Sequence, residues 1–545
     1  MKHVLIIGSG ISGMACAISC AQGGAHVQLV SPAPSERSQS VMAAGGINAV
    51  THNCEAGDSI ACHVDDTLRG GSWLGGKNAV EGLCTHAESI ISHLESIGTV
   101  FTVDSNGQPV LRSFGGQSHR RTHFCGSSTG KQIVSALVME ARRFEAKGLI
   151  TRTLMRHFHS ALIHDGVCYG ALLFHAGSRT LEPVFADAVV MAVGGQNALF
   201  GKTTGSTLCD GYAAGKLFMQ GAVLKNLEFI QYHPTTLETS QKRILISEAV
   251  RGEGGKLFYL ECNKRVYFMS DKYGTDGDLM TRDVVSREID ALGKEVFLDA
   301  SFLDKRLIDE RLPEVRDLCA KYGGIDISKE PIPVAPSVHF FMGGLAVHLN
   351  HETSIKNLYA VGECASMYHG ANRLGGNSLL AALYSGGVAA DDILARGQNT
   401  NRANGFDSLI RHERAQLARL LDSQSPFAAM HIRDTLAHIM RRHMSINRSQ
   451  NSLVQGMVDV DYYLSIANCI RYDASASAYT NYSLMGILTL ARAALTCAYA
   501  RRESRGTHVR SDYPTQSDSL AAPSLISYVD GAYHVQLDTE GFYEN

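Results

Sequence analysis

Apolar positions follow two rhythms along the chain, a helical spacing near 3.6 and short unbroken apolar runs, and the switches between them mark out the elements. Residues 2–7 form an apolar run, 8–13 a glycine-rich turn, 14–22 a helical pattern and 27–30 a second run. This order predicts a strand, a helix and a second strand at the start of the chain. Helical periodicity returns at 78–97 and 130–146. Residues 188–193 are continuously apolar and end at Gly194 and Gly195, the pattern of a parallel strand buried on both faces. A second such run, 357–361, ends at Gly362. Both strands are expected in one sheet, so the polar, turn-rich stretch 229–338 between them reads as an insertion. From residue 405 the pattern is helical, at 405–445, 459–471 and 482–504, and the Ser-rich tail after Pro514 is expected to hold little structure.

At 545 residues the chain exceeds what one hydrophobic core serves. The expected fold class is α/β: a Rossmann-like domain from 1–228 and 339–400, an inserted α+β capping domain at 229–338, a helical C-terminal domain at 405–510 and a tail at 511–545. A formal net charge of -3 leaves no electrostatic footprint for nucleic acid, so no such partner is expected. The 13 cysteines include no C-x-x-C pair; they read as reduced, mostly buried thiols, with no metal site among them. The N-terminus enters its first strand without a basic and apolar leader, which predicts a cytoplasmic protein. The apolar stretch 484–499 is too short to cross a bilayer and contains Arg492, so membrane attachment would have to come through another subunit.

Gly8-Ser9-Gly10-Ile11-Ser12-Gly13 fits G-x-G-x-x-G between a strand and a helix, the context that makes this pattern a dinucleotide fingerprint. The first glycine permits the tight turn, the second lets the backbone approach a pyrophosphate, and the third allows close helix packing. The helix N-terminus then faces the phosphate charge. No acidic residue closes the second strand; Ser31 stands there and can bond a ribose hydroxyl without supplying charge. Residues 38–49 (SQSVMAAGGINA) are small, polar and glycine-rich, which suits backbone lying close to a flat ring and equally suits a surface loop.

With these stretches the chain resembles the succinate dehydrogenase and fumarate reductase flavoprotein family and its relative L-aspartate oxidase. Further matches run in the family's order through nearly the whole chain: His233-Pro234-Thr235, Arg251-Gly252-Glu253-Gly254-Gly255, Met342-Gly343-Gly344, 370–379 (GANRLGGNSL) and Glu503-Ser504-Arg505-Gly506. The resemblance implies a Rossmann-like FAD-binding domain. Asp210, Glu363, Arg373, Ser378 and Leu379 would join the fingerprint residues, Ser31, Ser38, Gln39, Ser40, Ala44, Gly45 and Gly46 around FAD. In respiratory succinate dehydrogenases a histidine in the segment matching 38–40 attaches covalently to the flavin. Here that position is Gln39, an amide with no imidazole nitrogen, so FAD is expected to be held non-covalently, with a bias toward fumarate reduction.

A C4 dicarboxylate needs cations or donors at both ends. His233, His339 and Arg373 correspond to the family's carboxylate binders, and Ser247, beside Glu248, to a further donor. Arg282 falls where the family places its general acid and base. An arginine serves in that way only if a relay returns its proton; Glu248 and Arg251, three residues apart, are the relay candidates. Taken alone, Arg282 would read as an ordinary salt bridge to Asp283 or another acid, and each histidine as a structural one. At Phe114, L-aspartate oxidase carries an acidic residue suited to the substrate ammonium; a phenyl ring suggests an apolar wall over a substrate without an amine.

The resemblance therefore implies the flavoprotein subunit of a fumarate reductase or succinate dehydrogenase, interconverting fumarate and succinate. An iron-sulfur subunit would be its electron partner and a membrane-anchor subunit a further one, which would set the protein on the cytoplasmic face of the inner membrane. The alternatives are an L-aspartate oxidase forming iminoaspartate and a flavin-binding partner subunit that has lost catalysis.

Overall fold

The structure is a computed structural model that describes all residues except 127, 241, 398–404, 423–426, 471–477, 542 and 544–545. Five parallel strands form the central sheet in the order Leu358–Ala360, Ala188–Met191, His3–Ile7, His26–Val30, Ile150–Thr153. Val4, Leu5, Ile6 and Ile7 are all buried, because helices cover both faces of a parallel sheet. The two distant apolar runs do return to one sheet: Leu358 pairs with Val189 and Ala360 with Met191. Helix Ile11–Gln22 packs against helix Asn377–Ala395. Gly386 makes this possible, since a Cβ there would stand 2.7 Å from the Ser12 carbonyl oxygen. Helix Asn377–Ala395 is long and apolar enough to cross a membrane by length and composition, and half of that stretch is buried inside the protein.

The insertion leaves the sheet domain along Ile230–Glu238 and returns along Ile332–Phe341, and these two strands pair antiparallel, Ile230 opposite Phe341. They carry a six-stranded sheet whose apolar cluster runs from Leu237 to Val334, separate from the main core. Register shifts interrupt the pair between Gln231 and Tyr232 and between His233 and Thr236. Pro234 lies in the second shift, where a residue without an N–H costs the ladder least. Such bulges re-aim side chains, and here they sit on the stem beneath the cap.

Three elements differ from the sequence pattern. The predicted helix at 78–97 is two helices, Lys77–Thr85 and Ala87–Ser96. They break at His86, whose ring nitrogen and backbone N–H both turn to the Gly82 carbonyl. The helix expected at 459–471 begins at Gln450, where the Ser449 hydroxyl accepts the Ser452 N–H, and runs to Ile466. Residue 471, like the expected domain boundary near 400, lies outside the described residues. The tail is not loose: Ser524–Val529 and Ala532–Leu537 form a hairpin, and its first strand pairs with Leu224–Lys225. The C-terminal region is otherwise mainly helical, with Asp407–Leu421, Ala429–His443 and Leu484–Ala500, and a short parallel pair joins Asn447–Arg448 to Val509–Arg510.

Candidate active site

A cavity of 480 Å³ opens at the carboxyl end of the parallel sheet and runs beneath the cap, where ligands bind in open α/β sheets. One end is built from the fingerprint. Gly8 has φ +111°, and a Cβ there would lie 2.1 Å from the Ala192 carbonyl oxygen; a Cβ on Gly13 would lie 1.9 Å from the Gly8 oxygen. Both contacts require glycine. Gly8, Ser9, Gly10 and Ser12 line the cavity, as do Ser31, residues 38–46 and Ser378 and Leu379. Ile11 and Gly13 do not: Ile11 is buried in the core, with its N–H held by the Ser40 hydroxyl at 3.1 Å, and Gly13 serves helix packing.

The donor set suits a dinucleotide such as FAD. Ser38 Oγ and Gln39 Oε1 are buried on the cavity wall with no hydrogen-bond partner among the described residues. Ser31 donates to the Ala33 carbonyl at 2.7 Å and keeps its lone pairs. Glu363 follows the strand Leu358–Ala360; its Oε1 accepts the Phe341 N–H at 3.1 Å. Burial pushes its carboxyl up to about 7, against the lowering effect of that N–H and of Arg373. Asp210, also on the wall, accepts the Tyr212 N–H at 3.0 Å, and burial raises its carboxyl too.

Five elements converge at the other end. Gln231 and His233 project from one face of the stem strand Ile230–Glu238, as residues two apart do, and His339 comes from the returning strand. Glu248 caps the short helix Ala249–Gly252, Arg282 opens the helix Arg282–Leu292, and Arg373 comes from the loop ahead of Asn377–Ala395. Arg282 donates through Nε to Glu248 Oε1 at 2.9 Å and through Nη2 to Oε2 at 3.3 Å; Arg251 Nη2 reaches the same Oε1 at 3.1 Å. The partner of Arg282 is thus Glu248, not the adjacent Asp283. Although burial works against its charge, Arg282 and Arg251 hold the Glu248 carboxyl at about 2. Arg251 lies behind Glu248 and does not line the cavity, whereas Ser247, Glu248, Arg282, His339, His233, Arg373 and Phe114 do.

The two imidazoles stand edge to face with ring centres 5.3 Å apart. Burial, then Arg282, drives both far below the ordinary histidine value, so both are neutral at pH 7. The histidines therefore offer neutral polar atoms, and the guanidiniums supply the positive field. His339 Nδ1 meets the Thr204 hydroxyl at 2.9 Å, and His233 Nδ1 meets the Thr235 carbonyl at 3.1 Å. These bonds leave His233 Nε2 buried without a partner, together with Arg373 Nε. Arg373 lies over the Phe340 ring at 4.3 Å, and burial lowers it to about 9, which leaves it charged at pH 7. Phe114 is clamped between Gly45 and Gly375, where a Cβ would meet its ring at 3.2 Å and its Cβ at 2.8 Å respectively.

The sequence and the fold that carry this arrangement are matched by known proteins. Residues 3–379 fit the model of an FAD binding domain, and residues 433–541 that of the fumarate reductase flavoprotein C-terminal region. The chain belongs to the succinate dehydrogenase and fumarate reductase flavoprotein family. It is 34% identical to the succinate dehydrogenase flavoprotein subunit of Bacillus subtilis, over 95% of this chain and 92% of that one. It is 32% identical to the 8-methylmenaquinol:fumarate reductase flavoprotein subunit of Wolinella succinogenes, over 95% and 86%. The structure superposes on E. coli quinol fumarate reductase with a TM-score of 0.89 at 29% identity, covering 98% of this chain and 97% of the other.

Within this flavoprotein a polar group that the sequence pattern left without a role lies behind two of the cavity's arginines. Gln231, fully buried, accepts from Arg282 Nη1 at 3.2 Å and from Arg373 Nη2 at 2.9 Å on the same oxygen. Its place two residues before His233 was the available signal. Away from the cavity, Asp58, Cys62 and His119 bring ligand-type atoms within 4.8 Å of one another. Both Asp58 oxygens already accept from Arg121, at 2.7 and 3.0 Å.

Proposed function

We propose that this protein is the catalytic flavoprotein subunit of a fumarate reductase or succinate dehydrogenase, interconverting fumarate and succinate at a non-covalently held FAD. The observation that carries this reading is the buried set Arg251, Glu248 and Arg282, hydrogen-bonded in line and ending in the same cavity as Arg373, His233 and the dinucleotide cradle. FAD, when bound, supplies or takes up hydride at the substrate carbon. The protein's own residues do the rest. Arg373 fixes one carboxylate through its planar fork, aided by Ser247, His233 and His339 as neutral partners. Their fields draw electrons toward the carboxylates and make the alkene a better acceptor.

Arg282 places a charged N–H at the neighbouring carbon and gives it a proton. Glu248, a carboxylate at rest, then takes a proton from Arg251 and passes it to the neutral Arg282, and Arg251 recovers its proton from solvent. Phe114 closes the wall with an apolar face, which favours a substrate without an ammonium group. Residues 229–338 act as a capping domain that excludes water, over an FAD domain of 1–228 and 339–400 and a helical domain of 405–510. Electrons reach the flavin through an iron-sulfur subunit, with a membrane-anchor subunit holding the assembly on the cytoplasmic face of the inner membrane.

Arg282→Gln keeps a polar side chain but removes the guanidinium that gives the proton. It is expected to lower fumarate-dependent reoxidation of the reduced flavin by roughly 100-fold or more while FAD content stays normal. Retained turnover in the folded, FAD-loaded variant would refute the assignment. Reduction of the oxidised flavin by L-aspartate, and not by succinate, would shift the reading to an L-aspartate oxidase.

The mode of attachment is checked separately. Gln39 offers an amide oxygen to the cavity and no nucleophilic ring nitrogen. Acid-precipitated protein is expected to be colourless, with all the flavin in the supernatant. Flavin fluorescence on the denatured chain would disprove non-covalent binding and the bias toward fumarate reduction drawn from it.

A further inference from the structure

Behind the two guanidiniums lies a chain of side chains with no other evident task. Gln231 Oε1 accepts from both Arg282 and Arg373, and its Nε2 donates to Asn372 Oδ1 at 2.8 Å and to the Arg373 carbonyl at 2.8 Å. Asn372 Nδ2 in turn donates to Asp283 Oδ1 at 3.0 Å. Gln231 and Asn372 are both buried, with exposures of 0% and 5%. Water therefore has little access to repair a mismatched bond, and a donor facing a donor here would cost a full desolvation penalty.

Chemistry fixes the direction of this chain. An ionised carboxylate only accepts, a guanidinium only donates, and each amide between them has one accepting and one donating end. With Asp283 at one end and two arginines at the other, a single alignment satisfies every link. Both amides must point their oxygens toward the arginines and their NH2 groups toward the aspartate. Asp283 is well placed as the fixed end. It lies in the first turn of helix Arg282–Leu292; burial raises its carboxyl above the ordinary value, while the Thr281 side chain and the backbone N–H groups of Asp283 and Val284 act the other way and favour the carboxylate.

We propose that Asp283 is a positioning residue that sets the polarity of the Asn372 and Gln231 amides and thereby aims the Arg282 and Arg373 guanidiniums into the cavity. It touches neither substrate nor FAD; it acts through two amides on the groups that do. The inference rests on the roles proposed above for Arg282 and Arg373 and adds the device that orients them. It also explains why one oxygen serves both arginines: a single acceptor fixes their relative placement, so the proton donor and the carboxylate clamp are aligned together.

The test exchanges the polarity and then restores it. Asp283→Asn keeps the shape but gives the end of the chain a donor, so Asn372 is free to turn and present NH2 to Gln231. The FAD-loaded enzyme is expected to lose about tenfold or more in kcat/KM for fumarate, through both a higher KM and a lower kcat, with unchanged FAD content. The exchanged pair, Asp283→Asn with Asn372→Asp, puts the acceptor-only group one link closer to Gln231 and is expected to recover activity to within about threefold of wild type. A merely structural aspartate would not be rescued in this way. Wild-type kcat/KM in the single variant, or no recovery in the folded double variant, would overturn the proposal.

Crystal structures of the three proteins supply a readout independent of turnover. The Arg373 guanidinium should leave residue 231 in Asp283→Asn and return in the exchanged pair; an unmoved Arg373 would also overturn the proposal. A wild-type enzyme inert toward fumarate and succinate would instead refute the functional reading, and the crystal structures would then decide the positioning role.

Discussion

Burial acts alike on Glu248 and Glu363, both in the cavity wall, yet their surroundings send them in opposite directions. Glu248 faces Arg282 and Arg251 and is held at about 2, whereas Glu363 has one N–H and the more remote Arg373 and rises to about 7. Their contributions to stability therefore have opposite pH dependence. The depressed Glu248 stabilises the fold above the ordinary carboxylate value, and that contribution is lost as pH falls toward about 2. The raised Glu363 is favoured in the fold while protonated; this contribution is complete below the ordinary value near 4.5 and is lost as pH rises through about 7. At pH 8 the buried charge costs the FAD-free protein on the order of 3 kcal/mol. Glu363→Gln should therefore raise the urea midpoint of FAD-free protein at pH 8 and change it little at pH 5. The same variant should bind FAD more weakly, since an amide is a poorer acceptor for a ribose hydroxyl. Equal midpoints at pH 8 would show that Glu363 ionises without cost.

At the scale of elements, the chain revealed what its own short-range pattern encodes. The central strands were legible because unbroken apolar runs ended in glycines: 188–193 and 357–361 pair as neighbours in the sheet. The break at His86 was not legible, because apolar periodicity continues across it while one imidazole takes the Gly82 carbonyl. The C-terminal hairpin was missed although it carried a signal. Asp530-Gly531 stands between two alternating stretches, both residues have positive φ (+50° and +82°), and such a pair is a two-residue hairpin turn. In the site, Arg282, Glu248 and Arg373 were found through motifs. Gln231, and the Asn372 and Asp283 side chains linked to it, were not, because their contacts depend on which way distant partners point. Asn372, which bonds both, lies 141 residues from Gln231 and 89 from Asp283 in sequence.

At the scale of the whole molecule, the C-terminal hairpin is bound to the root of the cap stem. Its first strand pairs with Leu224–Lys225, only a few residues before the stem strand Ile230–Glu238. Between them stands Glu228, fully buried, which accepts from Arg501 Nε at 2.6 Å and from the Ser524 hydroxyl at 2.7 and 2.8 Å. Arg501 also bonds Glu503 at 2.9 Å and the carbonyls of Leu520 and Ala522 at 2.8 Å each. A buried ion pair of this kind adds little by itself, but removing its partners strands a charge inside the protein. Ser524→Ala deletes one donor to Glu228 and keeps the hairpin, at an expected cost of roughly 1–3 kcal/mol. Ending the chain at Pro514 deletes that donor, two acceptors of Arg501 and the strand that covers Leu224–Lys225. The shortened protein should then lose far more than the point variant in urea midpoint and release FAD during gel filtration, because the stem that carries Gln231, His233 and His339 is no longer braced. A shortened chain with the wild-type midpoint and full FAD content would show that the hairpin is a dispensable tail and that the cap stem holds itself in place.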